Sequence, residues 1–392
     1  MDYEQMKARI LAKAEELRPE LVKLNDDIAD HPELSGREYE TQKKLVRLLQ
    51  QHGYQTEAPF SGIETAFRAV YGENNHTHKA AILVEYDALP EIGHACGHCL
   101  SGCISLLAAL ALRDLQDELD TDIHLIGTPN EEDYGAKCIM EINGVFRDYD
   151  MAIMTHMLDK NIVRPKILGV MECDYVFHGK AAHASGAPWE GKNALNGAQL
   201  MLHAVDMLRQ HVKPDSQFHA VIRDGGRFPN IVPERAEIQM FIRSSGRKYM
   251  RELLRLVDDC ARGAAIATQT TVERKPENEF HYVDLRSNPA GEAAIREVFG
   301  ELGLVENAPP DFIFGSSDIG NVSYSCPAFQ PTLQVIDNTA IHTREFAAAM
   351  KTERAHTALG TGACLLALSI AKIFSDENRL AAMKEDFLRT ED

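Results

Sequence analysis

Residues 80–98 read AAILVEYDALPEIGHACGH. The opening AAILVEY, apolar but for Glu85, is closed by a Pro- and Gly-containing loop, which predicts a buried strand over Ala80–Tyr86. The run passes into Asp87 and soon afterwards into His94, Cys96 and His98. A helical pattern follows over Ser101–Leu119, and a second apolar strand, Asp122–Thr128 (DIHLIGT), empties into Asn130, Glu131, Glu132 and Asp133. The pattern then predicts a helix over Glu132–Ile142 and a third strand over Asp150–His156 (DMAIMTH), which ends in a histidine. Alternation of this kind predicts a three-layer α/β/α domain on a largely parallel sheet. Open α/β sheets bind ligands beyond the carboxyl ends of their strands. Three such ends here carry thiol, imidazole and carboxylate groups.

Outward from this core, Met6, Ile10, Leu17, Leu21, Leu24 and Ile28 recur with helical period, and Pro19 among them predicts a kink or two shorter helices. Tyr39–His52 reads as a second helix stopped by Gly53. From Leu168 the rhythm changes. Leu168–His178 is strand-like, Lys192–His211 helical, Gln217–Arg223 and Ala236–Arg243 strand-like, Arg247–Ile266 helical and Gln269–Arg274 strand-like. That β-α-β-β-α-β order is the ferredoxin-like α+β pattern. The α/β rhythm resumes with helices Ala290–Leu302 and Ala355–Phe374. The expected organisation is a discontinuous α/β domain, 1–167 and 284–392, carrying an inserted α+β domain, 168–283.

At 392 residues the chain exceeds what one hydrophobic core usually serves, consistent with two domains. Its 41 basic and 59 acidic residues give a formal charge of −18, which argues against nucleic-acid or anionic-membrane partners. No unbroken run of roughly 18 apolar residues is evident, so no transmembrane helix is expected. The charged, helix-like start lacks an apolar signal region, and the expected location is the cytoplasm. Eight cysteines sparsely spread over so long a chain do not form a disulfide framework.

Each candidate residue has an ordinary reading beside the chemical one. Cys96-x-His98 has metal-ligand spacing. Glu131-Glu132 taken alone reads as a solvated helix start, and His156 as a hydrogen-bonded core histidine. His183 can cap a turn, and His342 can be an ordinary loop histidine. Cys96-Gly97-His98-Cys99 also has the dithiol spacing of disulfide isomerases. His94, where those enzymes generally carry an aromatic residue, and the chain's length both argue against that reading.

The motifs together resemble a known family. They are His31-Pro32-Glu33-Leu34, EYDALPEIGHACGH at 85–98, GTPNEED at 127–133, HGKAAHASGAPWEGKNAL at 178–195, GGRFPNIVPERAE at 225–237, GSSDIGNVS at 315–323 and IHTREF at 341–346. Nearly the whole chain is similar to the co-catalytic zinc metallopeptidases and amidohydrolases of the aminoacylase and carboxypeptidase G type. The nearest branch is that of aminobenzoyl-glutamate hydrolase and the lysine- or arginine-dipeptidases. The resemblance implies metal ligands Cys96, His98, Glu132, His156 and His342, with Glu131 as general base. It also implies that His183 stabilises an oxyanion in a partner's site, that Asn230 and Arg243 bind substrate, and that the inserted domain is a lid and homodimerisation domain. Two positions depart from the family: Cys99, where Asp or Asn is usual, and Glu85 in Glu85-x-Asp87, where many relatives have His-x-Asp.

The donor chemistry supports a similar conclusion. A thiolate with imidazoles suits zinc, manganese or cobalt better than magnesium or calcium. Five protein ligands on two ions leave positions open for water and substrate, and a bound ion lowers the pKa of water to about 7. The expected reaction is hydrolysis of a small amide with a free carboxylate: a dipeptide, an N-acyl amino acid or aminobenzoyl-glutamate. The rival readings are a thiol–disulfide oxidoreductase using Cys96 and Cys99, and an inactive metal-binding homologue.

Overall fold

The computed structural model describes residues 1–276, 281–308 and 315–389. The last three residues of the expected second α/β segment lie outside them. The chain divides into two compact units, Met1–Lys166 with Leu285–Glu391, and Ile167–Asp284.

In the first unit the strands are β1 (Gln55–Glu57), β2 (Phe67–Val70), β3 (His78–Val84), β4 (Thr121–Gly127), β5 (Met151–Ile153) and β6 (His156–Leu158). In the second unit they are β7 (Gly169–Glu172), β8 (Tyr175–His178), β9 (Gln217–Asp224), β10 (Arg235–Ser244) and β11 (Thr271–Arg274). The first unit resumes with β12 (Ala328–Phe329) and β13 (Thr332–Gln334).

The main sheet has the order β1-β2-β4-β3-β5-β12. Strands β4, β3, β5 and β12 run parallel, while β2 and β1 add an antiparallel edge. All of β4 and the last five residues of β3 are buried, so side chains pointing to either face are covered. The helix His98–Leu112 is buried along its whole length. It lies against β3 and β4 on one side and against helices Tyr3–Asp30 and Glu353–Phe374 on the other.

Several expectations are corrected. Tyr3–Asp30 is one continuous helix that includes Pro19, not two shorter ones. Ile10 and Ala14 before the proline and Leu21 and Ile28 after it are all buried, so core packing overrides the missing hydrogen-bond donor. Two helical stretches, His98–Leu119 and Glu353–Phe374, do reach the length and hydropathy of a membrane span; 89% and 78% of their apolar windows are buried within the fold, as core helices are. Residues 150–158 form two strands rather than one, because the chain turns at Met154–Thr155 and β6 pairs with β13 instead of continuing the main sheet.

The second unit is the expected ferredoxin-like module. β7 and β8 are halves of one first strand interrupted at Cys173–Asp174, since both pair antiparallel with β10. β9 flanks the other side of β10, and β11 lies beside β8. Helices Ala194–Leu208 and Arg247–Thr268 pack on each other and on β10. Among the described residues β9 pairs with β10 alone, which makes it an edge strand, and it exposes Val221 and Ile222. Trp189, an aromatic residue for which packing is the ordinary expectation, is 77% exposed.

Candidate metal centre

Three strand ends of the first unit supply the chemistry. β3 runs into Glu85 and Asp87, β4 into Glu131 and Glu132, and β5 turns into His156. Gly97 separates Cys96 from His98 with φ +84°, and a Cβ there would lie 2.8 Å from Met157 Cβ. Only glycine meets both demands. His342 arrives from far along the chain. Its N–H donates to Ala95 O at 2.8 Å, and its backbone is left-handed at φ +63°. Thr343 then caps the helix Arg344–Ala349.

The five expected ligands converge. Cys96 Sγ is 3.3 Å from His156 Nε2, and His342 Nε2 is 3.3 Å from Glu132 Oε1. Donor atoms of Cys96, His98 and His156 lie within 4.8 Å of one another. The same holds for Cys96, Glu132 and His342, and for His98, Glu131 and Glu132. Clusters that overlap in this way suit two neighbouring ions.

Asp87 organises the group. It accepts from His98 Nδ1 (2.8 Å), Ser35 Oγ (2.8 Å) and the Glu132 N–H (3.0 Å). The first of these contacts leaves His98 Nε2 as the nitrogen available to a metal ion. The Glu132 contact also explains why the helix expected from Glu132 starts only at Ala136. Residues 131–134 form a turn closed by Gly135 N–H to Asn130 O at 2.8 Å. Glu38 Oε1 accepts from the Asn130 N–H at 2.9 Å and holds the turn from the other side.

The electrostatics lack a cation. Glu85, Asp87, Glu131, Asp318 and Cys96 are all buried. The buried lysine among them, Lys137, donates to Glu85 Oε1 at 2.6 Å and to Asp318 Oδ1 at 2.7 Å. One ammonium cannot balance four buried carboxylates. Burial, with Glu132 and Glu85 close by, raises the Glu131 carboxyl well above the usual range. Burial likewise brings Asp318 up to about 6 despite Lys137, and raises the Cys96 thiol. Burial opposes a charge on His98, yet Cys96, Asp87 and Glu85 outweigh it and raise that imidazole well above its ordinary value. Burial and the His98 charge push His156 down to about 4. Burial also opposes ionisation of Glu132, but the His342 hydrogen bond and the His98 charge hold it below the usual range. A proton on His98 therefore stands where a divalent cation would act. Glu85 Oε2 and His98 Nε2 are buried with no hydrogen-bond partner. Unsatisfied donor atoms in a cluster with excess negative charge fit divalent metal ions.

Cys99 belongs to a different environment. It is a free thiol packed in the hydrophobic core, and burial pushes it up to about 12. A redox dithiol needs its first cysteine accessible and of low pKa, whereas Cys96 is buried and burial raises its thiol.

The other three expected site residues lie in the second unit. His183 is exposed, and its Nδ1 accepts the Gly186 N–H at 3.0 Å, so the neutral ring carries its proton on Nε2. Asn230 sits beside it, since Ala184 N–H donates to Asn230 O at 3.0 Å. Arg243 lies on β10 opposite Gln217 and Val170. Sequence reasoning missed Lys137 and Asp318. A lone lysine in AKCIMEI gives no signal of burial, because its partners are far away in sequence.

Comparisons with known proteins point one way. Residues 167–268 match the family model of the M20 peptidase dimerisation domain. The Xaa-Arg dipeptidase of Mus musculus is 31% identical, over 98% of this chain and 93% of the relative. A p-aminobenzoyl-glutamate hydrolase chain of Escherichia coli is 26% identical, over 94% of this chain and 92% of the relative. A dinuclear metal-binding M20 peptidase of Bacillus subtilis superposes with a TM-score of 0.71 at 19% identity, covering 90% of this chain and 98% of that one.

Proposed function

From the premise that this chain belongs to the M20 peptidase family and is a metal-dependent amide hydrolase, we propose the following roles and substrate. Cys96, His98, His156, Glu132 and His342 hold two divalent ions, and Glu131 is the general base. When bound, such ions polarise a carbonyl and acidify water. Glu131 takes a proton on its buried carboxylate and delivers it to the leaving amine. The Nε2–H of His183, whose Nδ1 is held by the Gly186 N–H, donates to the developing oxyanion in a partner subunit's site. Asn230 and Arg243 bind the substrate carboxylate. Zinc leads as the metal, with manganese or cobalt next, because the set combines one thiolate, three imidazoles and one carboxylate.

The proposed substrate is a dipeptide or similarly small amide with a free carboxylate, and a dipeptide ending in a basic residue comes first because the Xaa-Arg dipeptidase is similar over the whole chain. The observation that carries the reading is the convergence of five donors at a buried, cation-deficient cluster. Amine release from dipeptides, N-acyl amino acids and aminobenzoyl-glutamate tests it. Cleavage is expected with metal-loaded enzyme and should vanish after chelation; equal rates before and after chelation would sink it.

We also infer a homodimer formed through the second unit. The edge of β9, without a second strand partner among the described residues and with Val221 and Ile222 exposed, and the exposed Leu200 and Met207 on helix Ala194–Leu208 support this reading. Sedimentation is expected to give twice the chain mass, and Ile222→Lys half of that. A wild-type monomer at micromolar concentration would refute the dimer.

A further inference from the structure

Glu85 is the first residue after β3, and it is fully buried. Its two oxygens have different surroundings. Oε1 accepts from Lys137 Nζ at 2.6 Å, and the same ammonium donates to Asp318 Oδ1 at 2.7 Å. Oε2 has no hydrogen-bond partner and lies 3.4 Å from His98 Nε2, which likewise has none. His98 Nε2 is the nitrogen left free once Asp87 takes Nδ1. Two atoms bound to one ion at about 2.0–2.2 Å are separated by roughly 2.9–3.5 Å. The gap between Glu85 Oε2 and His98 Nε2 is the gap between neighbouring ligands.

The ordinary alternative makes Glu85 a counter-ion of Lys137 and nothing more. That role uses Oε1. It leaves a carboxylate oxygen buried and unserved, facing an imidazole nitrogen in the same condition, and Lys137 is already shared with Asp318. We propose that Glu85 Oε2 is a sixth protein ligand, bound to the ion that His98 holds, while Lys137 anchors its other oxygen. The inference rests on the two-ion reading above. An added oxygen donor biases that position toward ions that accept five or six ligands, such as manganese or cobalt, over four-coordinate zinc.

The test uses full-length protein stripped of metal and titrated with Co²⁺. Ion stoichiometry, the two dissociation constants and the visible absorption of bound cobalt are compared for wild type, Glu85→Gln and Asp318→Asn. Wild type is expected to take two ions. Glu85→Gln should weaken one of them at least tenfold and leave the other unchanged, given that even indirect supports of metal ligands cost about 10–100-fold. Its cobalt bands should also intensify as the coordination number falls. Asp318→Asn perturbs the same ammonium without touching the ligand, so its spectrum should match wild type. Unchanged constants and bands in Glu85→Gln, or the same spectral shift in both variants, overturn the proposal. X-ray absorption at the cobalt edge of wild type counts ligands even if a variant fails to fold, and a shell without the added oxygen also overturns it. A wild type that takes two ions but is indifferent to Glu85 sinks this inference alone. A wild type that binds no divalent ion sinks the two-ion reading with it.

Discussion

Glu131→Gln is expected to lower kcat by about 10²–10⁴-fold with both metal ions retained. The substitution keeps the size of the side chain and its place in the turn pinned by Glu38 and Gly135. It removes only the capacity to take and return a proton. Burial beside Glu132 and Glu85 already raises the affinity of that carboxyl for a proton, which suits a group that must pick one up during the reaction. Steady-state kinetics with elemental analysis of the same sample decide the matter. A kcat within tenfold of wild type removes Glu131 as the base, and loss of one ion makes it a ligand instead.

The second large effect concerns stability. Lys137→Met should destabilise the first unit by about 3–5 kcal/mol, the usual cost of removing one partner from a buried ion pair. The expected fall in Tm is on the order of 10 °C. Two carboxylates, Glu85 and Asp318, lose their shared ammonium in a region with no solvent access. The lost N–H donors matter as much as the charge, because each oxygen they served is left without its partner. Thermal unfolding of metal-loaded and metal-free protein measures the effect. A shift under 2 °C in both states would mean that water enters the cluster and solvates it.

The fold was legible wherever local pattern and tertiary role agree. Apolar runs such as Ala80–Val84 become buried parallel strands because nothing polar in them competes with the core. Cys96, His98, Glu132 and His156 follow strand ends, which are easy to find in a sequence, whereas His342 lies in a loop and is singled out only by the family resemblance. The pattern misled at Glu132, where a side chain distant in sequence decides the backbone. Asp87 captures the Glu132 N–H and delays the helix, and core packing carries the first helix through its proline. The strands β1 and β2 are too short to show a period. Lys137 and Asp318 are 181 residues apart, and no reading of either neighbourhood reveals their contact.

The order of the ligands along the chain has a consequence for biosynthesis. Cys96, His98, Glu132 and His156 precede the inserted unit, and His342 follows it. One of the two parallel partners of β5, β12, also lies beyond the insertion. At about 5–20 residues per second, roughly 10–40 s separate translation of Glu132 from that of His342. The inserted unit is contiguous, and its entry and exit are tied by Val170 N–H to Tyr282 O at 2.8 Å, so it can complete its own sheet in that interval. The metal centre is therefore among the last features to close on the ribosome. A nascent chain holds an incomplete donor set, with its cysteine and histidines awaiting their last companion, until the end of synthesis is near.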